Sequence, residues 1–225
     1  MNATRRDRLR AATIEEIKEA ALGQIAVSGA GALSIRGIAR AIGMSPAGLY
    51  RYYDGIDGLL TDLIAGAYND LADRVAVAAS GAGSARERLR DGILAYRAWC
   101  LEHPNRFLLI FGTPIPGYAA PDEGPTVIAN RRIGAVFFGL GAEAWAAGDL
   151  AVPPAGRPLE PAERDFAASV APGFPPEAVG AFLSAWAHFH GIVTLEILNQ
   201  LDWIYPDAGE FYCAEVDRIL DRLWA

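Results

Sequence analysis

The sequence predicts an all-α protein in two parts, a helix-turn-helix head over residues 1–55 and a larger helical body over residues 56–225. Three observations carry this. Apolar residues recur at helical spacing in almost every segment between glycine and proline breaks. No stretch alternates apolar and polar residues as a half-buried strand would. Residues 34–53, SIRGIARAIGMSPAGLYRYY, spell two short helices joined by a tight turn.

Taken in order, residues 4–28 read as one helix with Ile14, Ile17, Ala21 and Ile25 on a stripe. Arg5, Arg6, Arg8 and Arg10 precede the stripe; they suit phosphates flanking a DNA site, and equally a solvated helix end. Ser28-Gly29-Ala30-Gly31 stops the helix. Ser34 is an N-cap, and Ile35, Ile38, Ala39 and Ile42 give the next helix an apolar face. Gly43 supplies the left-handed backbone of a sharp stop. Ser45-Pro46 then caps and opens a second short helix through Tyr53. Ala39 and Gly43 are small where the two helices approach, with Leu49 between them.

The outer positions of that second helix are unlike a core element. Ser45, Ala47, Gly48, Tyr50, Tyr52 and Arg51 are small, hydroxyl-bearing or cationic, a set suited to a major groove and its phosphates. An ordinary helical corner with surface tyrosines fits the same letters.

In the body, a long helix is expected from Ile56 to about Ala79. Ser84-Ala85-Arg86-Glu87 is a capping box opening the next, which His103-Pro104 ends. Asn105–Phe111 is a further short helix. Thr126–Ala147 follows a Pro/Gly-rich loop, with Ile133, Phe137, Leu140, Ala144 and Trp145 expected inward. Ala151–Pro161 is proline-rich, Ala162–Val170 a short helix, and Pro172–Pro176 another break. Glu177–Leu201 bears two apolar stripes, Val179, Phe182, Trp186, Val193 and Ile197 on one side and Leu183, Ala187, Gly191, Leu195 and Leu198 on the other, so it is expected to be buried on both. Glu210–Trp224 ends the chain, and the last two helices suit a symmetric four-helix dimer interface.

Charge is uneven. Residues 1–60 hold 8 Lys+Arg against 6 Asp+Glu, and the remainder 12 against 21, giving the net −7. A mildly basic head on an acidic chain fits local DNA contact and not a general nucleic-acid coat. Cys100 and Cys213 read as reduced, buried small hydrophobes. The N-terminal segment lacks the apolar core of an export signal and no uninterrupted apolar run suits a membrane span, so a cytoplasmic protein with no membrane partner is expected.

Thr13 to about Leu71 resembles the N-terminal domain of the TetR family of bacterial transcriptional regulators. The likeness rests on a first helix ending near Gly29, Leu33-Ser34-Ile35-Arg36-Gly37-Ile38-Ala39, Gly43-Met44-Ser45, Gly48-Leu49-Tyr50-Arg51-Tyr52-Tyr53 and Leu59-Leu60. It implies a one-component regulator, a homodimer on a palindromic double-stranded DNA operator. DNA contact is expected from Ser34, Arg36, Ser45, Ala47, Gly48, Tyr50, Arg51 and Tyr53, with Tyr50 and Tyr53 on phosphates and Arg36, Ser45 and Ala47 at bases or groove edges. Family members usually carry a lysine just after the aromatic pair, where it meets phosphate. Here that position is Ile56, which implies a weaker or differently distributed backbone contact. Trp186-Ala187-His188-Phe189-His190-Gly191 is similar to the Trp…His-Gly signature of one TetR-type C-terminal group.

No catalytic constellation is legible. His188 and His190 are two apart on a helix, so they point about 200° apart and cannot share a metal unaided; no metal and no cofactor are expected. Gly139-Leu140-Gly141-Ala142-Glu143-Ala144 fits a dinucleotide pattern in letters, without the strand-turn-helix it needs. The aromatics of the body suit a core individually and an apolar effector cavity together. Trp99, Phe107, Phe111, Phe137, Trp145, Trp186 and His190 are the candidate lining, for a small hydrophobic or aromatic effector. The expectation is a ligand-responsive repressor and not an enzyme. The competing class is a helical small-molecule carrier or enzyme with a vestigial head.

Overall fold

The computed structural model describes residues 4–151, 158–170 and 174–224. Among them are ten α-helices: α1 Arg5–Ser28, α2 Ile35–Ala41, α3 Pro46–Leu49, α4 Gly55–Ala79, α5 Ala85–Glu102, α6 Pro104–Phe111, α7 Pro125–Ala147, α8 Pro161–Val170, α9 Pro176–Ile197 and α10 Gly209–Leu223, with a 3-10 turn at Ala30–Ala32. No strand occurs among the described residues; the nearest approach is an isolated bridge between Leu150 and Trp224. The all-α expectation is met. The breaks expected over Ala151–Pro161 and Pro172–Pro176 lie partly outside the described residues.

The chain divides into two compact units, Met1–Tyr68 with His103–Ala129, and Asn69–Glu102 with Asn130–Ala225. In the first unit α1 opens on a capping box, the Thr4 hydroxyl accepting from the Asp7 N–H and the Asp7 carboxylate accepting from the Thr4 N–H. Ile17, Ala21 and Ile25 meet Ile38, Leu49 and Leu59 in one buried cluster. α6 belongs to this unit: Tyr68 donates its hydroxyl to the Ile110 carbonyl and meets the Phe111 ring edge-on at 5.7 Å.

In the second unit α5, α9 and α10 pack together and α8 packs on α9. The capping box at Ser84 and Glu87 is formed. Fully buried Tyr212 donates to the Ile93 carbonyl at 3.4 Å. Arg97 grips the Glu196 carboxylate with both Nε and Nη2, at 2.9 and 2.5 Å, and Arg90 holds Asp217 in the same forked way. The Gly139–Ala144 stretch lies within α7. A side chain at Gly141 would begin 2.7 Å from the Phe182 ring, so close packing explains that glycine.

Four details differ from the sequence expectation. Trp145 is 41% exposed and not turned inward, because it lies in the last turn of α7, three residues before Gly148 ends the helix with φ 79°. α9 stops at Ile197 and not Leu201, since Asn199 takes a left-handed backbone at φ 54°. Neither stripe is buried throughout: Val179, Phe182 and Val193 enter the core, but Trp186 on the same stripe is 42% exposed, and Leu183, Leu195 and Leu198 on the other lie exposed. By length and composition α9 is also apolar enough to cross a membrane, although polar residues interrupt its apolar run.

Candidate nucleic-acid interface

The site is built from the α2–α3 corner. Ser34 accepts the Gly37 N–H on its hydroxyl at 3.1 Å, satisfying one open donor of the first turn of α2. Its own N–H donates to the side-chain oxygen of Gln24 on α1 at 2.9 Å. Gly37 is where that amide tucks in; a Cβ there would fall 2.2 Å from Gln24 Nε2. At the other end Met44 N–H reaches the Ala39 carbonyl and Gly43 N–H the Arg40 carbonyl, the paired bonds of a Schellman stop, with Gly43 at φ 65°. Gly43 therefore serves through its backbone; a Cβ there would touch nothing within 4 Å, so close approach is not its role.

Ser45 caps α3 by accepting the Gly48 N–H at 3.1 Å. Regular helix covers only Pro46–Leu49; Arg51 and Tyr52 then bond three residues back, to Gly48 and Leu49, tightening the chain out of the α form before Tyr53. Leu49 is fully buried and pins this short element to the core. With Leu49 inward, Ser45, Ala47, Tyr50 and Arg51 turn to solvent, as do Ser34, Arg36 and Arg40 on α2. Tyr50 is 57% exposed. None of Arg36, Arg40 and Arg51 forms an ion pair with another described residue. Gly48 is half-buried beneath Met44, whose Cγ would lie 2.9 Å from an added Cβ.

Tyr53 and Ile56 are placed differently. Tyr53 is buried and donates its hydroxyl to Asp62 at 2.6 Å; burial first, then the adjacent carboxylate, push its phenol pKa well up. Asp62 also meets Lys18 of α1 at 3.1 Å. Ile56 packs on the buried cluster of the head. Arg10 lies 5.0 Å over the Tyr52 ring, joining the basic start of α1 to the corner. Gln24, Lys18 and Asp62 had no signal in the sequence, because their partners lie ten or more residues away in most cases and follow no spacing rule.

The candidate effector residues fall into separate groups. In the second unit Trp186 stacks on His190 at 4.9 Å, and His190 Nδ1 shares a 2.7 Å hydrogen bond with the Tyr96 hydroxyl. Burial holds His190 below the usual histidine range, favouring the neutral ring. Trp99 is buried with its indole N–H on Asp70, and Phe137 packs near Gly92. Phe107 and Phe111 belong to the first unit, with ring centroids 5.3 Å apart.

Comparison with known proteins agrees with this geometry. Residues 11–63 match the family described as bacterial regulatory proteins, tetR family, and residues 89–219 match the tetracyclin repressor-like C-terminal domain. HTH-type transcriptional regulators of Mycobacterium bovis and Mycobacterium tuberculosis are 35% identical over 197 residues, covering 82% of this chain and 80% of theirs. A solved regulatory protein, SCO4313, is 36% identical with a TM-score of 0.78, covering 97% of this chain and 100% of that one. FadR of Bacillus subtilis, solved with stearoyl-CoA, shares the fold at 14% identity and a TM-score of 0.65. A capped two-helix corner with its polar and cationic side turned to solvent, matched over both parts of the chain, identifies this protein as a member of the TetR family, a helix-turn-helix DNA-binding transcriptional regulator.

Proposed function

We propose that the protein is a repressor that works in the cytoplasm as a homodimer on a palindromic operator and is released by a small hydrophobic or aromatic effector. The observation that carries the reading is the exposed face of the corner, where buried Leu49 leaves Ser45, Ala47, Tyr50 and Arg51 outward. Two such corners in a dimer fit half-sites about 34–36 Å apart, one duplex turn. Arg36, Ser45 and Ala47 read bases or groove edges, Gly48 lets the backbone come close, and Tyr50 and Arg51 meet phosphate. Ser34 holds the first turn of α2 at the backbone. Tyr53, engaged with Asp62, positions the corner from behind. With Ile56 packed inside, the arginines of α1 and the corner carry the phosphate contact.

The effector site we infer lies in the second unit around Trp186 and His190, with Tyr96, Trp99 and Phe137 on the same unit. A stacked indole and a neutral imidazole suit a flat apolar molecule with one hydrogen-bonding group. Its binding relieves repression only as far as it prefers the form that does not fit DNA.

The test is selection of bound fragments from a random duplex pool at ~0.15 M salt, with wild type and Tyr50→Ala. The reading expects a palindrome from wild type and none from the variant. No enrichment by wild type overturns it for the unliganded protein.

A further inference from the structure

Four arginines open α1, and the turn of the helix sorts them. At about 100° per residue, Ile14, Ile17 and Ala21 follow Arg10 within roughly 40° of its direction. Those three pack in or against the buried cluster of the head. Arg10 therefore prolongs the inward stripe one turn beyond the core. Arg5 and Arg8 lie roughly 140° and 160° away from it, on the outer side of the helix. Where the inward stripe leaves the core it meets the corner: the Arg10 guanidinium carbon stands 5.0 Å from the centroid of the Tyr52 ring. Tyr52 is half-buried and packs on the same cluster, so the ring is held in place beneath the cation.

The stack leaves the cation open to an anion. A ring face attracts the charge as a whole and does not neutralise it. Arg10 is exposed and forms no hydrogen bond or ion pair with another described residue. Lys18, two turns on, is by contrast spent on Glu15 and Asp62. The Tyr52 ring lies one residue from Arg51 and two from Tyr50, both turned to solvent. Past the ring the corner runs out of positive charge: Asp54, Ile56 and Asp57 follow, and no lysine or arginine occurs between Arg51 and Arg74. A duplex carries phosphate continuously along both strands, and the exit of the corner has no cation of its own to meet one.

We infer that Arg10 supplies the phosphate contact at the exit of the corner, and that Tyr52 is its positioning residue, holding the guanidinium over the corner before DNA arrives. This rests on the corner facing DNA as proposed above; it singles out one of the four arginines of α1 and names the ring that aims it. An arginine is long and loses much rotamer freedom when it is fixed. A ring that holds it in advance lowers the ordering cost of the contact, so the same charge binds more tightly than one on a free side chain. Arg5 and Arg8, turned outward with no such platform, stay in solvent.

Fluorescence anisotropy of the full chain on a labelled duplex of mixed sequence, across a salt series, tests it; the palindrome selected by wild type serves as a second probe. Arg10→Ala is expected to lower the slope of log affinity against log salt by about one per bound protomer, and affinity about fivefold per protomer at ~0.15 M salt. Arg8→Ala should leave the slope unchanged. Tyr52→Leu should weaken binding as Arg10→Ala does and add nothing in the Arg10→Ala background, while Tyr52→Phe keeps the ring and binds like wild type. Thermal midpoints of the same variants separate these effects from unfolding, and affinities are compared well below them. A slope lowered by Arg51→Ala and ignored by Arg10→Ala would overturn this contact alone. A slope that ignores both, or no binding by wild type, would sink the reading of the corner as the DNA face as well. An equal fall in Arg8→Ala would show a basic helix start that is not sorted, and overturn the assignment. A Tyr52→Leu loss that persists in the Arg10→Ala background, or a loss in Tyr52→Phe, would put Tyr52 on the DNA itself and end its positioning role.

Discussion

Tyr53 donates its hydroxyl to Asp62 across 2.6 Å, and the same carboxylate oxygen takes Lys18 Nζ at 3.1 Å. One side chain of α4 thus ties down both the corner that follows α3 and the middle of α1. Tyr53→Phe removes the corner's share of that tie. The expected loss of stability is about 1 kcal/mol, below the usual range for a bond to a charged group because Asp62 is partly exposed. Urea unfolding measures it. Specific DNA affinity should fall only in step with the unfolded fraction; a much larger fall would place Tyr53 in direct contact with the operator.

Tyr50 and Arg51 should behave in the opposite way. Both are exposed, so Tyr50→Ala and Arg51→Ala leave the melting temperature essentially unchanged. Arg51→Ala is expected to lower the slope of log affinity against log salt by about one for each phosphate left without its cation, with the preferred sequence unaltered. Titration of labelled operator at several salt concentrations decides it.

Leu49→Ala should be the most damaging single change in the corner. Leu49 is fully buried beneath a four-residue helix, so truncation costs about 2–5 kcal/mol and frees the outer residues from their frame. Loss of operator binding at 37 °C with partial recovery at low temperature is the expected pattern.

His190 makes the second unit acid-sensitive. Its folded pKa lies below the unfolded value because burial disfavours the imidazolium. The unfolded chain therefore binds the proton first as pH falls, so stability is complete above the ordinary histidine pKa and is lost as pH drops from there through the folded value. Thermal midpoints should decline across that window in wild type and stay flat across it in His190→Gln. The depressed carboxylates Glu215 and Asp217, each held low mainly by an arginine partner, act only at more acidic pH.

Cys100 is buried and its thiol is pushed up to about 12, chiefly by burial. Little thiolate forms at pH 8, so a maleimide should modify Cys100 only at the rate of unfolding. Mass spectrometry of the labelled protein with and without denaturant checks this, with half-exposed Cys213 as the internal comparison.

The elements themselves were legible because each is marked at its ends. Ser34, Ser45 and the Ser84–Glu87 pair cap as their residue types dictate, and Gly43 stops α2 as only a residue tolerant of φ 65° would. The exposed side of the corner followed from the same spacing. What spacing cannot give is the partner that covers a face. The second stripe of α9 reads as buried in sequence and lies open in a single chain, because helical period says which residues share a side and nothing of what meets it. Tyr53, which the family likeness sets on a phosphate, turns inward because Asp62, nine residues on, becomes its neighbour once α4 has folded back.

α3 has four residues, fewer than a helix needs to persist in water by itself. A genetic screen for loss of regulation would therefore not draw a map of operator contacts. Substitutions at Ile17, Ile38 or Leu59, none of which faces solvent, should silence the protein as completely as changes at Tyr50. Suppressors of such alleles would then be found among residues that restore packing, at a distance from any nucleotide.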